Sequence, residues 1–359
     1  MDSINNFKIK IQIQYYKILS LRYWEFWPAW FFYIPIFFYY LVFMIKYRMS
    51  ATAIAGVNPC FAFGGMAFDS KYDMISKFLA FPDAIAKTVL ISKREIVSII
   101  KQVKEANIDY PFICKPDKGH RGNGFKIIRS QADLENYINI CARDFLIQEY
   151  IDYPLEYGVF WVKYPGEEKG RITSITRKVL PYLKGDGKSK LYELILSDKR
   201  ARYLAKTYLE KNQSKIDSVI PKNESIRICS AGNHCQGAIF EDGMGDIKGN
   251  TKERLIEICS SISGFDFGRM DIKFKNKDSL ENGSGFKILE VNGSEAESTH
   301  IYDRKYSIYY AYKTLYQQWD TLFAIARKNK EKGFSRLTIG ALLKAYIEFF
   351  KESKEIKGD

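Results

Sequence analysis

The sequence predicts an α+β fold, and three observations carry that expectation. Short runs rich in β-branched and aromatic residues recur after Tyr110, helical stretches separate them, and 46% of the 359 residues are hydrophobic. That is ordinary for a globular chain and enough for a substantial core. The β-rich runs are Phe112–Lys115, Phe125–Ile128, Phe145–Tyr150, Tyr157–Tyr164, Ile172–Val179, Ile226–Cys229, Met270–Phe274 and Phe286–Val291. Helical patterns intervene at Ser130–Cys141, Leu191–Leu196, Asp198–Lys211, Asn250–Ile262 and Tyr306–Arg327. Ahead of them, a glycine-containing loop (Asn58–Gly65) leads to a helix at Lys71–Leu79. A short strand at Thr88–Ser92 and a second helix at Lys93–Ala106 follow. The expected organisation is an N-terminal segment (1–50), a preceding region (51–109), a catalytic domain (110–329) and a C-terminal helix with a charged tail (330–359).

The N-terminal segment holds FWPAWFFYIPIFFYYLVFMI, Phe26–Ile45, twenty residues without a charge, flanked by Arg22, Lys46 and Arg48. Its length suits a membrane-spanning helix. Pro28 and Pro35 interrupt such a helix, and Trp, Tyr and Phe prefer the headgroup level. Crossing and lying in the interface both remain open, and membrane association is the expectation. No small-residue cleavage site follows, so the run does not read as a cleavable signal peptide. At the other end, Phe334–Phe350 spaces its apolar residues as an amphipathic helix, to pack on the protein itself or on lipid.

The net charge of +13 arises from scattered lysines without a dense basic run. That pattern favours membrane and nucleotide over nucleic acid as the partner. The six cysteines form no CxxC pair and no finger spacing; they fit a reducing, cytoplasmic-face environment and speak against zinc.

Three segments carry chemistry. In KPDKGHRGNG, Lys115–Gly124, a strand ends in lysine and a loop follows with Gly119, Gly122 and Gly124 beside Lys118, His120 and Arg121. Glycines let backbone amides turn toward a polyphosphate, and the cations neutralise it. The spacing is not that of a Walker A loop. In FLIQEYIDYPLEYGVFWV, Phe145–Val162, a strand, turn and strand carry Glu149 and Glu156. In GRMDIKFK and FKILEVNG, period two puts Arg269 and Asp271 on one face of a strand, and Glu290 and Asn292 on one face of another. Two carboxylates and an amide oxygen are hard ligands suited to magnesium.

These pieces, in this order from about Lys71 to His300, resemble the ATP-grasp superfamily, in particular its D-alanine–D-alanine ligase branch. The resemblance implies two α+β lobes clasping ATP. It implies that Lys71 and Lys115 contact the ATP phosphates and that the loop of Gly119, His120, Arg121, Gly122 and Gly124 closes over them. Adenine would lie against the connector Gln148, Glu149, Tyr150 and Ile151, with Glu156 on the ribose. Asp271, Glu290 and Asn292 would hold two Mg2+ ions, with Mn2+ an alternative, and Arg269 would steady the developing oxyanion.

Two further segments resemble glutathione- and cyanophycin-synthesising relatives of that superfamily: GDGKSKLYELI, Gly185–Ile195, and GNHCQG, which includes Asn233–Gly237. All three histidines, His120, His234 and His300, fall inside motif segments. The tyrosine–lysine loop of D-alanine ligases has no clear counterpart. Arg177, Lys178 and Lys188 are candidate stand-ins, and Asn233, His234 and His300 are further substrate candidates. The expected activity is a membrane-associated carboxylate–amine ligase releasing ADP and phosphate, its catalytic domain on the cytoplasmic face. Its substrate is a lipid or envelope component or, fitting equally well, a soluble molecule handled by an anchored enzyme. The alternatives are an ATP-grasp phosphotransferase and a non-catalytic ATP-binding membrane protein.

Overall fold

The computed structural model describes residues 7–66, 68–92, 95–119, 124–229, 232, 237–334 and 337–354. The chain divides into two compact units. One comprises Met1–Phe38, Lys178–Glu241 and Ile301–Lys313; the other comprises Tyr39–Arg177, Asp242–His300 and Thr314–Asp359. In chain order the elements begin with α1 (Phe7–Ser20), α2 (Ala29–Phe32), α3 (Ile34–Lys46), α4 (Lys71–Ser76), β1 (Thr88–Ile91) and α5 (Ile96–Glu105). Then follow β2 (Phe112–Pro116), β3 (Lys126–Ile128), α6 (Gln131–Ile140), β4 (Phe145–Glu149), β5 (Leu155–Val162), β6 (Arg171–Val179) and β7 (Tyr182–Lys184). The rest are α7 (Leu191–Ser197), α8 (Ala205–Lys211), β8 (Ser225–Arg227), β9 (Ile239–Asp242), α9 (Gly249–Ser261), β10 (Phe267–Phe274), β11 (Phe286–Asn292), α10 (Ile308–Glu331) and α11 (Ile339–Lys354). The mixed α+β architecture is therefore as expected.

In the second unit, one sheet has the order β1-β4-β2-β3 with each neighbouring pair antiparallel. Helices α5 and α6 cover it, burying Ile99, Val103, Leu134 and Tyr137 against Phe112, Phe145 and Ile147. A capping box starts α6. The Ser130 hydroxyl accepts the Asp133 N–H at 3.2 Å, and the Asp133 carboxylate accepts the Ser130 N–H at 3.1 Å. The other sheet runs β11-β10-β5-β6. Its alternating residues Met270, Ile272 and Phe274 are fully buried and pack with Leu255, Ile258 and Cys259 of α9. This leaves the intervening residues of β10 on the opposite face.

Asn58 fixes the loop ahead of α4. Its amide donates to the carbonyls of Gly64 and Phe267, both at 2.8 Å, and its oxygen accepts the N–H groups of Asp266 and Phe267, both at 2.9 Å. All four of its hydrogen-bonding positions are used. Behind it, Gly65 and Gly293 touch so closely that a Cβ on Gly65 would lie 2.5 Å from the Gly293 Cα.

The aromatic run is not one helix. Pro28 caps α2, and Pro35 sits in the first turn of α3, where a missing N–H costs nothing. The helical run is interrupted by a turn at Tyr33 between them. No helix among the described residues is long and apolar enough to cross a membrane, so the option of a single spanning helix at Phe26–Ile45 lacks support. In the first unit, α1 packs through Ile9, Ile13 and Tyr16 onto the core of α7 and α8. Trp24 stacks on Phe32 and Tyr302 at centroid distances of 5.5 and 5.4 Å. The sequence reading assigned no element to residues 7–20, where KIKIQIQ alternates with strand-like period two, and none to β7 or β9. The helix expected from Asp198 begins as a 3₁₀ turn, Ala201–Leu204, before α8. The C-terminal helix expected at Phe334–Phe350 forms at Ile339–Lys354, and its Phe349 packs on Met66 and Phe68 in the second unit.

Candidate active site

The strand register assembles a tile of four candidate side chains. In the antiparallel pairing of β10 with β11, Arg269 lies opposite Asn292 and Asp271 opposite Glu290. The alternation within each strand predicted two same-face pairs; the register makes them one group on one face. Arg269 Nε donates to Asp271 Oδ1 at 3.1 Å, and its Nη1 donates to the Glu297 carbonyl at 3.2 Å. Both side chains are largely enclosed, 18% and 13% exposed, so solvent screens this pair less than a surface bridge.

Room for the pair comes from β5, where Gly158 lies opposite Asp271. A Cβ there would stand 3.1 Å from Arg269 Cδ and 3.4 Å from Asp271 Oδ1. A β-bulge follows on β11, because the register shifts between Asp271 and Ile272 and leaves Leu289 as the extra residue. The bulge turns the Leu289 carbonyl toward the other sheet of the same unit. It accepts from Lys115 Nζ at 3.4 Å and from Gln148 Nε2 at 3.0 Å.

Lys115, on β2, also donates to Gln148 Oε1 at 3.1 Å. Burial pulls its ammonium below the usual lysine range, while the Glu290 and Asp271 carboxylates push the other way. Lys71, at the start of α4, donates to the carbonyls of Gly119 at 2.6 Å and Asp117 at 3.2 Å. Burial lowers it to about 8, opposed by Glu290 and reinforced by Lys115. Asp117 ties the two lysine-bearing elements together, since its carboxylate accepts from the Ser70 hydroxyl and the Tyr72 N–H. The two lysines thus share the electrostatic field of Glu290.

Of the connector residues, Gln148 is buried and binds through its side chain, donating also to the Thr88 hydroxyl at 2.8 Å. Glu149 accepts the Lys87 N–H at 3.2 Å. Ile151 offers its carbonyl to Lys273 Nζ at 2.8 Å, and that ammonium also lies 5.8 Å from the Tyr150 ring centroid. Glu156 is opposite Lys273 in the β5–β10 register, beside the Gly158–Asp271 pair. Gly124 has φ +73°, and a Cβ there would collide with Pro116 Cγ at 2.7 Å.

The substrate candidates are less concentrated. Arg177 pairs with Asp246 at 3.3 Å, and Asp246 also accepts from the Tyr157 hydroxyl at 2.9 Å. His300 is buried in the second unit, next to Thr299, whose hydroxyl meets that of Thr176 at 3.0 Å. Lys178 and Lys188 belong to the first unit. Lys188 is exposed on a turn organised by Asp186, whose carboxylate accepts from the Ser189 hydroxyl and the N–H groups of Ser189 and Lys188. Those bonds, the Ser189 hydroxyl first, hold Asp186 at about 2. His120, Arg121, Gly122, Asn233 and His234 lie outside the described residues.

The sequence reading missed Gly158, Lys273, Asp117 and the Leu289 carbonyl. Lys273 was legible, because it extends the Arg269, Asp271 alternation by one more step. Gly158 and the bulge were not, since only the cross-strand register gives them meaning. Among the described residues no group of three or more His, Cys, Asp and Glu side chains is placed to hold a metal. The donors on the tile are two carboxylates and one amide, a set that fits a magnesium ion sharing its coordination with phosphate oxygens.

Residues 84–164 match the tubulin-tyrosine ligase family. Cyanophycin synthetase of Synechocystis sp. is 23% identical over 214 residues, 54% of this chain and 24% of that protein. The chain thus spans about a quarter of the length of the curated relative it matches. Among solved structures, the VanG D-Ala:D-Ser ligase of Enterococcus faecalis aligns at TM-score 0.42 and 13% identity, covering 72% of this chain and 61% of that one. The D-alanine–D-alanine ligase of Bacillus anthracis aligns at TM-score 0.42 and 12% identity, covering 73% and 69%. The resemblance to the ATP-grasp superfamily, first drawn from the ordered motifs, is borne out by the sequence matches.

Proposed function

We propose that this chain is an ATP-dependent carboxylate–amine ligase that works at a membrane surface on a lipid-linked or envelope component, with its catalytic part on the cytoplasmic face. The observation that carries the catalytic reading is the single-face tile of Arg269, Asp271, Glu290 and Asn292 beside Lys115. In the reaction a carboxylate oxygen of the acid attacks the γ-phosphorus of ATP. The β–γ bridging P–O bond breaks and ADP leaves, giving an acyl phosphate. The amine nitrogen then attacks the acyl carbon, inorganic phosphate departs, and the nitrogen loses its extra proton.

The first step brings negative charges together and the second builds negative charge on the acyl oxygen, and this chain's residues answer both. Lys71 and Lys115 supply positive charge to the phosphates, and Arg269 stabilises charge building on the carbonyl oxygen. Asp271, Glu290 and Asn292 would hold magnesium, which when bound neutralises phosphate charge. Gln148 and Glu156 orient the nucleoside, with Lys273 holding the Ile151 carbonyl in place.

The test is ADP release by purified protein with Mg-ATP, a metabolite and lipid extract, and hydroxylamine. Extract-dependent ADP with a hydroxamate product supports the ligase and identifies the acid by its mass. ADP with a stable phosphorylated product and no hydroxamate overturns it in favour of phosphotransfer. Asp271→Ala and Glu290→Ala should each abolish turnover in a protein that still unfolds cooperatively, the midpoint falling in Asp271→Ala because Arg269 loses its enclosed partner. Activity retained in both removes the metal assignment.

A further inference from the structure

We infer that α2 and α3 form an in-plane docking face for an anionic membrane surface, a deepening of the membrane reading that does not depend on the ligase chemistry. Up to its last residue, Lys46, helix α3 carries no charged side chain and has apolar residues on every face. Its inner face is buried through Ile36 and Phe43, at 4% and 0% exposure. Its outer face stays uncovered: Ile34, Phe37, Phe38, Leu41 and Ile45 are 44%, 61%, 59%, 40% and 81% exposed. Those positions recur at three- and four-residue steps, so they form one stripe. Trp30, on α2, is 73% exposed.

A helix with two apolar faces and one protein partner needs a second apolar medium. Length and composition select which. At 13 residues α3 is too short to cross a bilayer, and its exposed aromatics suit the headgroup level. An in-plane position therefore fits where a spanning one does not.

Charge then selects the lipid. Between residues 7 and 45 the basic side chains are Lys8, Lys10, Lys17 and Arg22, all exposed. The one acid in that stretch, Glu25, is withdrawn into the first unit, where Arg200 and Arg304 neutralise it at 3.3 and 3.4 Å. The segment thus presents cations and aromatic surface with no exposed carboxylate. That pairing is complementary to anionic headgroups over an acyl boundary, and less so to a second basic copy of this chain.

The experiment is co-sedimentation of the full chain with vesicles of phosphatidylcholine, with and without phosphatidylglycerol, in the absence of ATP. The expected result is binding to both, tighter by about tenfold or more with phosphatidylglycerol. Phe37→Glu/Phe38→Glu should lose that binding while the unfolding midpoint is unchanged, because both side chains are exposed. Lys10→Glu/Lys17→Glu should lose the lipid-charge preference and keep residual binding. Binding that survives Phe37→Glu/Phe38→Glu, or no binding by the parent chain, overturns the inference. So does a parent dimer that the double variant converts to monomer without any vesicle binding, which assigns the face to self-association. Because ATP is absent, failure here leaves the ligase reading intact, and failure of the hydroxylamine assay leaves the docking face intact.

Discussion

At the residue scale, the site depends on groups whose cost of being there is measurable. Lys71 sits at about 8 because burial opposes its charge, against about 10.4 in the unfolded chain. The unfolded state therefore binds more protons between those values, and this residue's contribution makes stability rise with pH through that window. Phosphate oxygens at the proposed site would restore the charged form. ATP binding near pH 8.5 should accordingly take up protons, read by calorimetry in buffers of different ionisation enthalpy; proton release would contradict its phosphate role. Gly158 leaves Arg269 and Asp271 their space, so Gly158→Val should displace them. A misplacement of about 1 Å can cost about 100-fold in turnover, and ATP affinity should fall far less. Arg269→Ala should likewise lower kcat far more than ATP affinity, by about 100-fold or more. Asn58 serves the fold alone. Asn58→Leu strands four backbone groups at about 1–3 kcal/mol each, so a stability loss of at least about 3 kcal/mol should appear in chemical denaturation.

At the scale of elements, most of what the chain forms follows from local pattern. Strand β10 reads as a strand because Met270, Ile272 and Phe274 alternate with Arg269, Asp271 and Lys273. The apolar set is fully buried, Arg269 and Lys273 are partly exposed, and Asp271 is buried at the site. Helix α6 begins at Ser130 because its capping box satisfies donors that the helix cannot. Helix α1 defeated the same logic, since Ile9, Ile11 and Ile13 alternate like a strand while only Ile9, Ile13 and Tyr16 meet the core. Tertiary packing outweighed the local period there. Helix α11 divides its apolar residues between Phe349, which packs on Phe68 at a centroid distance of 6.4 Å, and the exposed Ile339, Leu343, Tyr346 and Ile347. Phe349→Ala should lower stability by about 3 kcal/mol or less, seen as a reduced unfolding midpoint, with Mg-ATP binding unchanged.

At the scale of the whole molecule, each unit is built from three stretches of chain, so neither is a contiguous piece of sequence. Every described residue proposed to touch ATP or magnesium lies in the second unit. Saturating Mg-ATP at about 100 times its Kd should stabilise that unit by about 2.7 kcal/mol. Hydrogen exchange should slow in β2, β4, β10 and β11 and stay unchanged in α1, α7 and α8. Protection centred on α7 and α8 instead would move the nucleotide site out of the tile.

The sequence by itself determined the elements and the chemistry each could offer, because period, composition and turn residues act over a few positions. The α+β class, the Arg269–Asp271 and Glu290–Asn292 strand pairs and an interruption of the aromatic run near its prolines were all legible. Only the tertiary structure decided which strands face one another. Register and packing are both long-range: register put Asp271 against Glu290, gave Gly158 its purpose and turned the Leu289 carbonyl toward Lys115 and Gln148, and packing brought Lys71 to the Gly119 carbonyl. Packing also divided the Phe26–Ile45 run into a packed face and an exposed one, because a hydropathy count cannot tell which side of a helix its own protein will cover.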